Sequence, residues 1–144
     1  MGLDQGPFSR EELITAALEN IGHSYAPYSG FNVSAAVLMS NGKIYTGANI
    51  ENAAYSATVC AERCAIFKAV SEDREAKIIA IAIVGGRDCK TDEYCPPCGV
   101  CRQVMREFAV PDTMKIILAK TVEDYIETTL EALLPMSFGP DHLR

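Results

Sequence analysis

The segments Cys95-Pro96-Pro97-Cys98-Gly99-Val100-Cys101-Arg102 and Cys60-Ala61-Glu62-Arg63 decide how this 144-residue chain is interpreted. Cys98 and Cys101 are three positions apart, so both sulfurs can reach one tetrahedral ion from a single helical turn. Cys60 supplies a third ligand from far earlier in the chain. A site with three protein ligands leaves a fourth position for a water that the metal can acidify. The two segments therefore predict a catalytic zinc site.

Glu62 and Arg63 follow the first of these cysteines directly. Taken alone, a glutamate in the position of Glu62 is most often a solvated carboxylate at a helix start. Beside Cys60 it can exchange protons with the water without binding the metal, which makes it the catalytic candidate. Arg63 is either an ordinary surface charge or a guanidinium that offsets the negative charge of three thiolates.

The cysteines also allow other interpretations. Cys98 and Cys101 alone fit a redox pair, and Cys95 would turn the set into a closed, structural four-cysteine site. The two prolines between Cys95 and Cys98 restrict the backbone, which makes it difficult for both sulfurs to bind one ion and disfavours the four-cysteine site. Cys64 is expected to pack in the core, since it lies one helical turn after Cys60, and Cys89 is expected to be incidental.

Composition limits the function further. With 49% hydrophobic residues, the chain is long enough for one domain with a core. Its net charge of −6 disfavours unaided binding to nucleic acid. The first residues show no secretory signal and no apolar run reaches membrane-spanning length, so we expect a cytoplasmic protein with a small-molecule partner.

Hydrophobic periodicity predicts strands that alternate with helices, which is typical of an α/β fold with parallel pairing and helices across the sheet faces. A capping box at Ser9 opens the first helix, Asn41-Gly42 marks a hairpin, and Gly85-Gly86 is expected to end the central strand. The predicted elements are a helix over Arg10–His23, strands over Val33–Met39 and Ile44–Ala48, a helix over 59–71, a strand over 77–84, a helix from near Cys98 that ends before Pro111, strands over Met114–Ala119 and 121–128, and a short helix over 129–134.

From about Tyr25 to Leu143 the chain resembles the cytidine deaminases of the small, all-cysteine, homotetrameric kind. The motifs that carry the resemblance are Tyr28-Ser29-Gly30-Phe31-x-Val33, Thr46-Gly47-x-Asn49-Ile50-Glu51-Asn52-Ala53-x-Tyr55-Ser56, Cys60-Ala61-Glu62-Arg63, Pro97-Cys98-Gly99-Val100-Cys101-Arg102-Gln103 and Glu131-x-Leu133-Leu134-Pro135.

This resemblance implies a single catalytic domain over residues 1–144 with a three-layer α/β/α fold and a central mixed sheet. It implies hydrolytic deamination of cytidine and deoxycytidine in pyrimidine salvage, and a homotetramer with shared pockets. The residues implied are Cys60, Cys98 and Cys101 for one zinc ion per chain, Glu62 as proton carrier, Asn49 and Glu51 for the ribose, Phe31 against the pyrimidine, Ala61 in the substrate pocket, Tyr55 and Phe138 over neighbouring pockets, and Arg63 and Gln103 as supports of the thiolates.

The chain differs from the family pattern at three places, and three alternative functions compete with the one that the resemblance implies. Ser34 replaces an expected Gly, Cys64 stands where Thr or Ser is usual, and the loop from Asp88 to Pro96 is long. Because of this loop, the resemblance does not specify the residues of the pocket rim or the exact substrate range. A deaminase of another heterocycle, such as an aminoglycosyl-nucleoside antibiotic, would need a different sugar motif from Asn49–Asn52. A polynucleotide editor conflicts with the acidic charge. The third alternative is a non-catalytic zinc or redox module, and Glu62 argues against it because such a module would not need this carboxylate.

Overall fold

The structure, a computed structural model, describes residues 8–144; the first seven residues, which contributed to the expectation that no signal segment is present, lie outside the described part. The elements alternate much as predicted. They are α1 (Arg10–Asn20), β1 (Phe31–Met39), β2 (Ile44–Ala48), α2 (Ala61–Glu72), β3 (Ile78–Arg87), α3 (Gly99–Phe108), β4 (Lys115–Ala119), β5 (Tyr125–Thr129) and α4 (Leu130–Leu133). Short 3₁₀ turns cover Ile21–His23, Tyr55–Ala57 and Pro140–His142.

The five strands form one mixed sheet in the order β2-β1-β3-β4-β5. β1 is antiparallel to both β2 and β3, β3 is parallel to β4, and β4 is antiparallel to β5. The predicted parallel pairing is therefore confirmed for β3 and β4. β2 and β3 point in the same direction but do not pair with each other, because β1 lies between them.

Two buried clusters show that helices cover both faces of the sheet. Alternate residues of β1 divide between them: Ala35 and Val37 pack with α2 and α3, whereas Ala36 packs with α1. This alternation follows from the two-residue period of a strand. The three-layer α/β/α arrangement predicted from the resemblance is thus confirmed, with α1 on one face and α2 and α3 on the other.

Helix α2 lies very close to β2 at Gly47. A Cβ atom at this position would lie 2.4 Å from the Ala65 amide nitrogen and 2.9 Å from the Cys64 Cβ. Only glycine allows this approach. Cys64 therefore packs at the interface of α2 with the sheet, which agrees with the packing role expected for it, and the contact fixes the start of α2 relative to the strand ends.

The prediction that Gly85-Gly86 ends the central strand is wrong. β3 continues to Arg87, and its last three residues pair with Val33, Asn32 and Phe31 of β1. Position 86 requires a glycine because the following loop folds back on the strand there. A Cβ at this position would lie 1.6 Å from the Lys90 carbonyl oxygen. The glycine serves a close backbone approach rather than a strand end.

The last strand is shorter than expected, since β5 begins at Tyr125 rather than near Thr121. Residues before it form a turn in which the Thr121 hydroxyl accepts hydrogen bonds from the Glu123 and Asp124 amides. Such a turn competes with strand pairing, which explains the shift in the boundary. In the part of the chain described, no helix combines the length and apolar character needed to cross a bilayer.

Ser34 provides a stability prediction. Its side chain is fully buried in β1, and its Oγ atom has no hydrogen-bond partner among residues 8–144. Because a buried, unpaired hydroxyl costs about 1–3 kcal/mol, we expect Ser34→Ala to raise the free energy of unfolding by about 1 kcal/mol in urea titrations. Ser40→Ala is the control, because Ser40 Oγ accepts from the Lys77 amide at 2.9 Å and its loss should lower that free energy. A destabilised Ser34→Ala protein would contradict the prediction.

Candidate active site

Two helix starts bring the three predicted zinc ligands together. Cys60 and Cys98 are the residues immediately before α2 and α3, and each has an extended backbone conformation. Cys101 lies in the first turn of α3 and is fully buried. The unpaired amide groups and the positive dipole end of each helix favour thiolates at these positions.

The three sulfur atoms fit a single zinc ion. They all lie within 4.8 Å of one another, and the Cys60 and Cys98 sulfurs are 3.8 Å apart. A tetrahedral zinc with sulfur bonds of about 2.3 Å separates its sulfurs by about 3.8 Å, so the observed spacing suits the ion. The donor set of three thiols with one position left over is that of a zinc site open to a further ligand.

Cys95 is not a member of this cluster. It is half-buried, and its sulfur packs against the backbone of Gly85, where a built Cβ would lie 3.0 Å away. Burial, assisted by the nearby charges of Glu62 and Cys60, raises the pKa of the Cys95 thiol to about 11. The sulfurs that lie within 4.8 Å of one another are those of Cys60, Cys98 and Cys101 and do not include that of Cys95, so the geometry argues against the closed four-cysteine alternative.

The pKa values of Cys60 and Cys101 are shifted in opposite directions. Hydrogen bonds from Cys101 and then Arg63 lower the pKa of Cys60 to about 5, and the same bond to Cys60 raises the pKa of Cys101. The Arg63 Nη2 atom lies 3.5 Å from the Cys60 sulfur. Arg63 Nε is buried and has no hydrogen-bond partner in the described part of the chain, so this guanidinium faces the sulfurs with unused donor capacity.

Glu62 lies in the first turn of α2 and is only 4% exposed. Burial, together with the negative charge of Cys60, raises the pKa of its carboxyl to about 7. A bound zinc dication would oppose that shift, since it favours the carboxylate. A buried carboxyl beside a metal centre has few partners except a metal-side water or a ligand, which is the setting of a general acid and base.

Phe31, Asn49 and Glu51 form a second group at the strand ends. The Asn49 side-chain oxygen accepts from Ser24 and from the Val33 amide, and its nitrogen donates to the Phe31 carbonyl at 2.8 Å. One amide hydrogen of Asn49 remains for a ligand. Phe31 is 38% exposed and lines a cavity of about 440 Å³ with the end of β3 and residues 88–94. Of the proposed site residues only Phe31 lines this cavity, and the three cysteine ligands do not.

The Glu51 carboxylate is already engaged by the loop before β1. One oxygen accepts from the Tyr28 and Ser29 amides at 2.9 and 3.1 Å, and the other accepts from the Ser29 hydroxyl. The Ser29 hydroxyl bond is the main cause that lowers the pKa of Glu51. Glu51 is therefore an anchored carboxylate with some acceptor capacity left for a ligand.

The remaining predicted residues lie at different depths. Ala61 is fully buried at the start of α2, and Tyr55 is 80% exposed beside Glu51. Phe138 is 58% exposed near the C-terminus, where its ring stacks on His142. Gln103 donates to the Phe138 carbonyl at 2.9 Å, so the structure gives it a different partner from the thiolates that the resemblance implied.

Sequence reasoning missed three supporting residues. Ser29 holds Glu51, and Ser24 bridges Asn49 and the Asn32 amide. Arg102 donates to the Pro97 carbonyl and the Leu133 carbonyl, both at 2.8 Å, which ties the loop before Cys98 to α4. Ser29 and Arg102 were inside quoted motifs, and a Ser before Gly in a loop is a signal for such a turn.

Comparisons with known proteins agree with this geometry. Residues 8–117 match the sequence profile of the cytidine and deoxycytidylate deaminase zinc-binding region. The cytidine deaminase of Halalkalibacterium halodurans is 47% identical over 134 residues, covering 93% of this chain and 97% of the relative. That of Sporosarcina psychrophila is 44% identical over 133 residues, covering 92% and 93%.

Solved structures extend the match to the fold. The cytidine deaminase of Burkholderia pseudomallei superposes with a TM-score of 0.77 at 39% identity, over 88% of this chain and 97% of that structure. The Mycobacterium tuberculosis enzyme gives 0.73 at 34% identity, over 90% and 96%. With its three-thiol cluster at two helix starts and relatives of this identity along nearly their whole length, the chain belongs to the cytidine and deoxycytidylate deaminase family.

Proposed function

We propose that this protein hydrolyses cytidine and deoxycytidine to uridine and deoxyuridine with release of ammonia, and that it serves pyrimidine salvage. The observation that carries the proposal is the buried Glu62 carboxyl in the first turn of α2, beside three thiols spaced for one zinc ion. Cys60, Cys98 and Cys101 would hold that ion. When bound, zinc supplies Lewis acidity that lowers the pKa of a water at the open position.

Glu62 moves the protons in this proposal. It accepts a proton from the water and delivers it to N3 of the cytosine ring, while the water oxygen forms a bond to C4. Glu62 then carries the hydroxyl proton to the amino group on C4. The C4–N bond breaks, ammonia leaves, and C4 becomes the carbonyl of the uridine product. Arg63, which contacts Cys60, offsets the negative charge of the thiolates.

Asn49, Glu51 and Phe31 orient the nucleoside. The free amide hydrogen of Asn49 and the remaining acceptor capacity of Glu51 suit the ribose hydroxyls, and the half-exposed Phe31 ring suits the pyrimidine. Ala61, fully buried beside Glu62, would contribute to the substrate pocket. The fixed carboxylate at Glu51 would repel a 5′-phosphate, which favours nucleosides over nucleotides.

An assay of the purified protein tests this function. We expect ammonia release from cytidine and deoxycytidine, little from dCMP and cytosine, and one zinc per chain by metal analysis. Release from a different aminated heterocycle in preference to both nucleosides would favour the rival deaminase. A zinc-loaded protein that acts on neither nucleoside would contradict the proposal.

The role of Glu51 leads to a prediction about selectivity. Glu51→Gln removes the negative charge, so we expect the KM for cytidine to rise about tenfold and the discrimination against dCMP to shrink. Ser29→Ala is the matched control: it removes the hydroxyl bond to Glu51 but keeps the charge. It should raise the KM while the preference for cytidine over dCMP stays. Unchanged discrimination in Glu51→Gln would mean that another group excludes the phosphate.

We also propose a homotetramer in the cytoplasm, in which Phe138 and Tyr55 cover the pocket of a neighbour. Both rings are more than half exposed in the single chain. Among residues 8–144, the hydrogen-bond and stacking partners of Phe138 are Gln103 and His142, which lie outside the thiol cluster. A neighbouring chain would bury these rings and exclude water from the reacting atoms.

Mixed oligomers test the shared pocket. Phe138→Ala and Glu62→Ala chains should each be poor enzymes alone. When they are co-expressed, some pockets combine an intact Glu62 with an intact neighbouring Phe138, so we expect activity above that of either parent. A monomer in light scattering, or no gain from mixed tetramers, would rule the arrangement out.

A further inference from the structure

The segment that carries Phe138 is tightly held although its ring is exposed. The Phe138 carbonyl accepts from Gln103 of α3, and the ring stacks on His142 with centroids 5.1 Å apart and planes at 16°. The Gly139 amide lies 3.0 Å from Nδ1 of His142. Residues 137–142, which we call the C-terminal strap, are therefore held by a hydrogen bond to α3 and by contacts within the segment.

Arg106 is the centre of these contacts. It lies on α3 and is 9% exposed. Its Nε donates to the Ser137 hydroxyl at 2.8 Å and its Nη2 donates to the Asp141 carboxylate at 2.7 Å. These two partners bracket Phe138 in the sequence, so one guanidinium fixes the strap on both sides of the aromatic ring.

Gly139 shows how closely the strap fits this side chain. A Cβ at Gly139 would lie 2.3 Å from Cζ and from Nη1 of Arg106, so the backbone lies directly on the guanidinium plane. The planar fork of arginine has donors in fixed directions, which a lysine ammonium cannot reproduce. The geometry is thus specific for arginine at position 106.

We propose that Arg106 is a positioning residue that holds the strap so that Phe138 is pre-set for the pocket of a neighbouring subunit. The inference rests on the proposed shared pocket and deepens it. Fixing a half-exposed ring costs conformational entropy and buries little apolar area within its own chain. A ring that is already held in place loses less conformational freedom when it binds another molecule, which is the advantage that the proposal assigns to this arrangement.

The role requires an effect in the neighbouring pocket rather than in the chain that carries Arg106. Arg106→Gln removes the fork while Cys98 and Cys101 stay on the same helix, so we expect one zinc per chain as before. The KM for cytidine should rise about tenfold, as in Phe138→Ala. The double variant Arg106→Gln with Phe138→Ala should be no worse than Phe138→Ala alone, since both changes remove the same contact.

Co-expression separates a positioning role from a merely structural one. Arg106→Gln chains keep their own Glu62, and Glu62→Ala chains provide a correctly held Phe138, so mixed tetramers should regain activity. If Arg106→Gln damaged its own zinc site, no pocket in the mixture would be complete. Absence of this gain, or additive losses in the double variant, would overturn the inference.

Further variants keep the test decisive. Arg106→Lys keeps the charge without the fork and should behave like Arg106→Gln. If Arg106 variants fail to fold, Asp141→Asn replaces them, because its side chain is 68% exposed and its loss should still raise the KM about threefold. Wild-type KM in Asp141→Asn would then overturn the inference.

Wild-type kinetics in Phe138→Ala would overturn the shared pocket and this inference together, whereas an inactive wild-type protein would overturn the proposed deaminase function itself.

Discussion

Glu62→Gln is expected to keep its zinc and bind a cytidine analogue while its kcat falls by about a thousandfold or more. An amide has nearly the shape of the carboxyl but cannot carry a proton from water to N3 or to the leaving amine. Because Glu62 is 4% exposed and does not belong to the three-thiol cluster, the exchange should leave zinc content unchanged. Single-turnover kinetics, metal analysis and inhibitor binding on the same sample measure the three expectations.

The matched control for this variant is Glu72→Gln at the other end of α2. The Glu72 carboxylate is paired with Lys43 at 2.8 Å and with the Tyr45 hydroxyl at 2.6 Å, far from the thiols along the helix. Its loss should alter stability slightly and leave kcat unchanged. Near-normal turnover by Glu62→Gln, with zinc in place, would exclude Glu62 as the proton carrier.

The sequence predicted the elements of the fold well where hydrophobic periodicity and local punctuation agree. The N-cap at Ser9 is confirmed by its hydrogen bond from the Glu12 amide, and Asn41-Gly42 marks the β1–β2 hairpin. The glycines at the end of β3 show the limit of such local signals. Gly86 allows a non-local contact with the Lys90 carbonyl, and a short-range rule interprets that need as a strand end.

The ligand spacing was predictable because helix geometry fixes it. Cys98 and Cys101 are one turn apart, and Cys60 lies at the start of a second helix, close to where the sequence predicts a helix over 59–71. The supporting contacts were not predictable in this way. Arg106 donates to Ser137 of the strap, and Arg102 donates to the Leu133 carbonyl. In each pair the two residues are about thirty positions apart in sequence. Such contacts depend on how helices lie on the sheet, which periodicity does not specify.

Cys60→Ser, Cys98→Ser and Cys101→Ser are each expected to lose the zinc and all measurable turnover. The structure supports this set, because these three sulfurs lie within 4.8 Å of one another, and a hydroxyl is a much poorer zinc ligand than a thiolate. Two remaining thiols would leave the ion with half of a tetrahedral shell. We expect zinc content to fall from about one per chain to near zero after dialysis.

The other three cysteines provide the matched controls, since each receives the same substitution. Cys95→Ser, Cys64→Ser and Cys89→Ser should retain one zinc per chain, because Cys95 packs on Gly85, Cys64 packs near Gly47 and Cys89 is exposed. The comparison also decides between open and closed sites. If Cys95→Ser empties the site while Cys60→Ser keeps its zinc, the ligand assignment is wrong. Loss of zinc from Cys95→Ser as well as from the three ligand variants would instead favour the closed, structural site, whose metal has no position left for a reacting water.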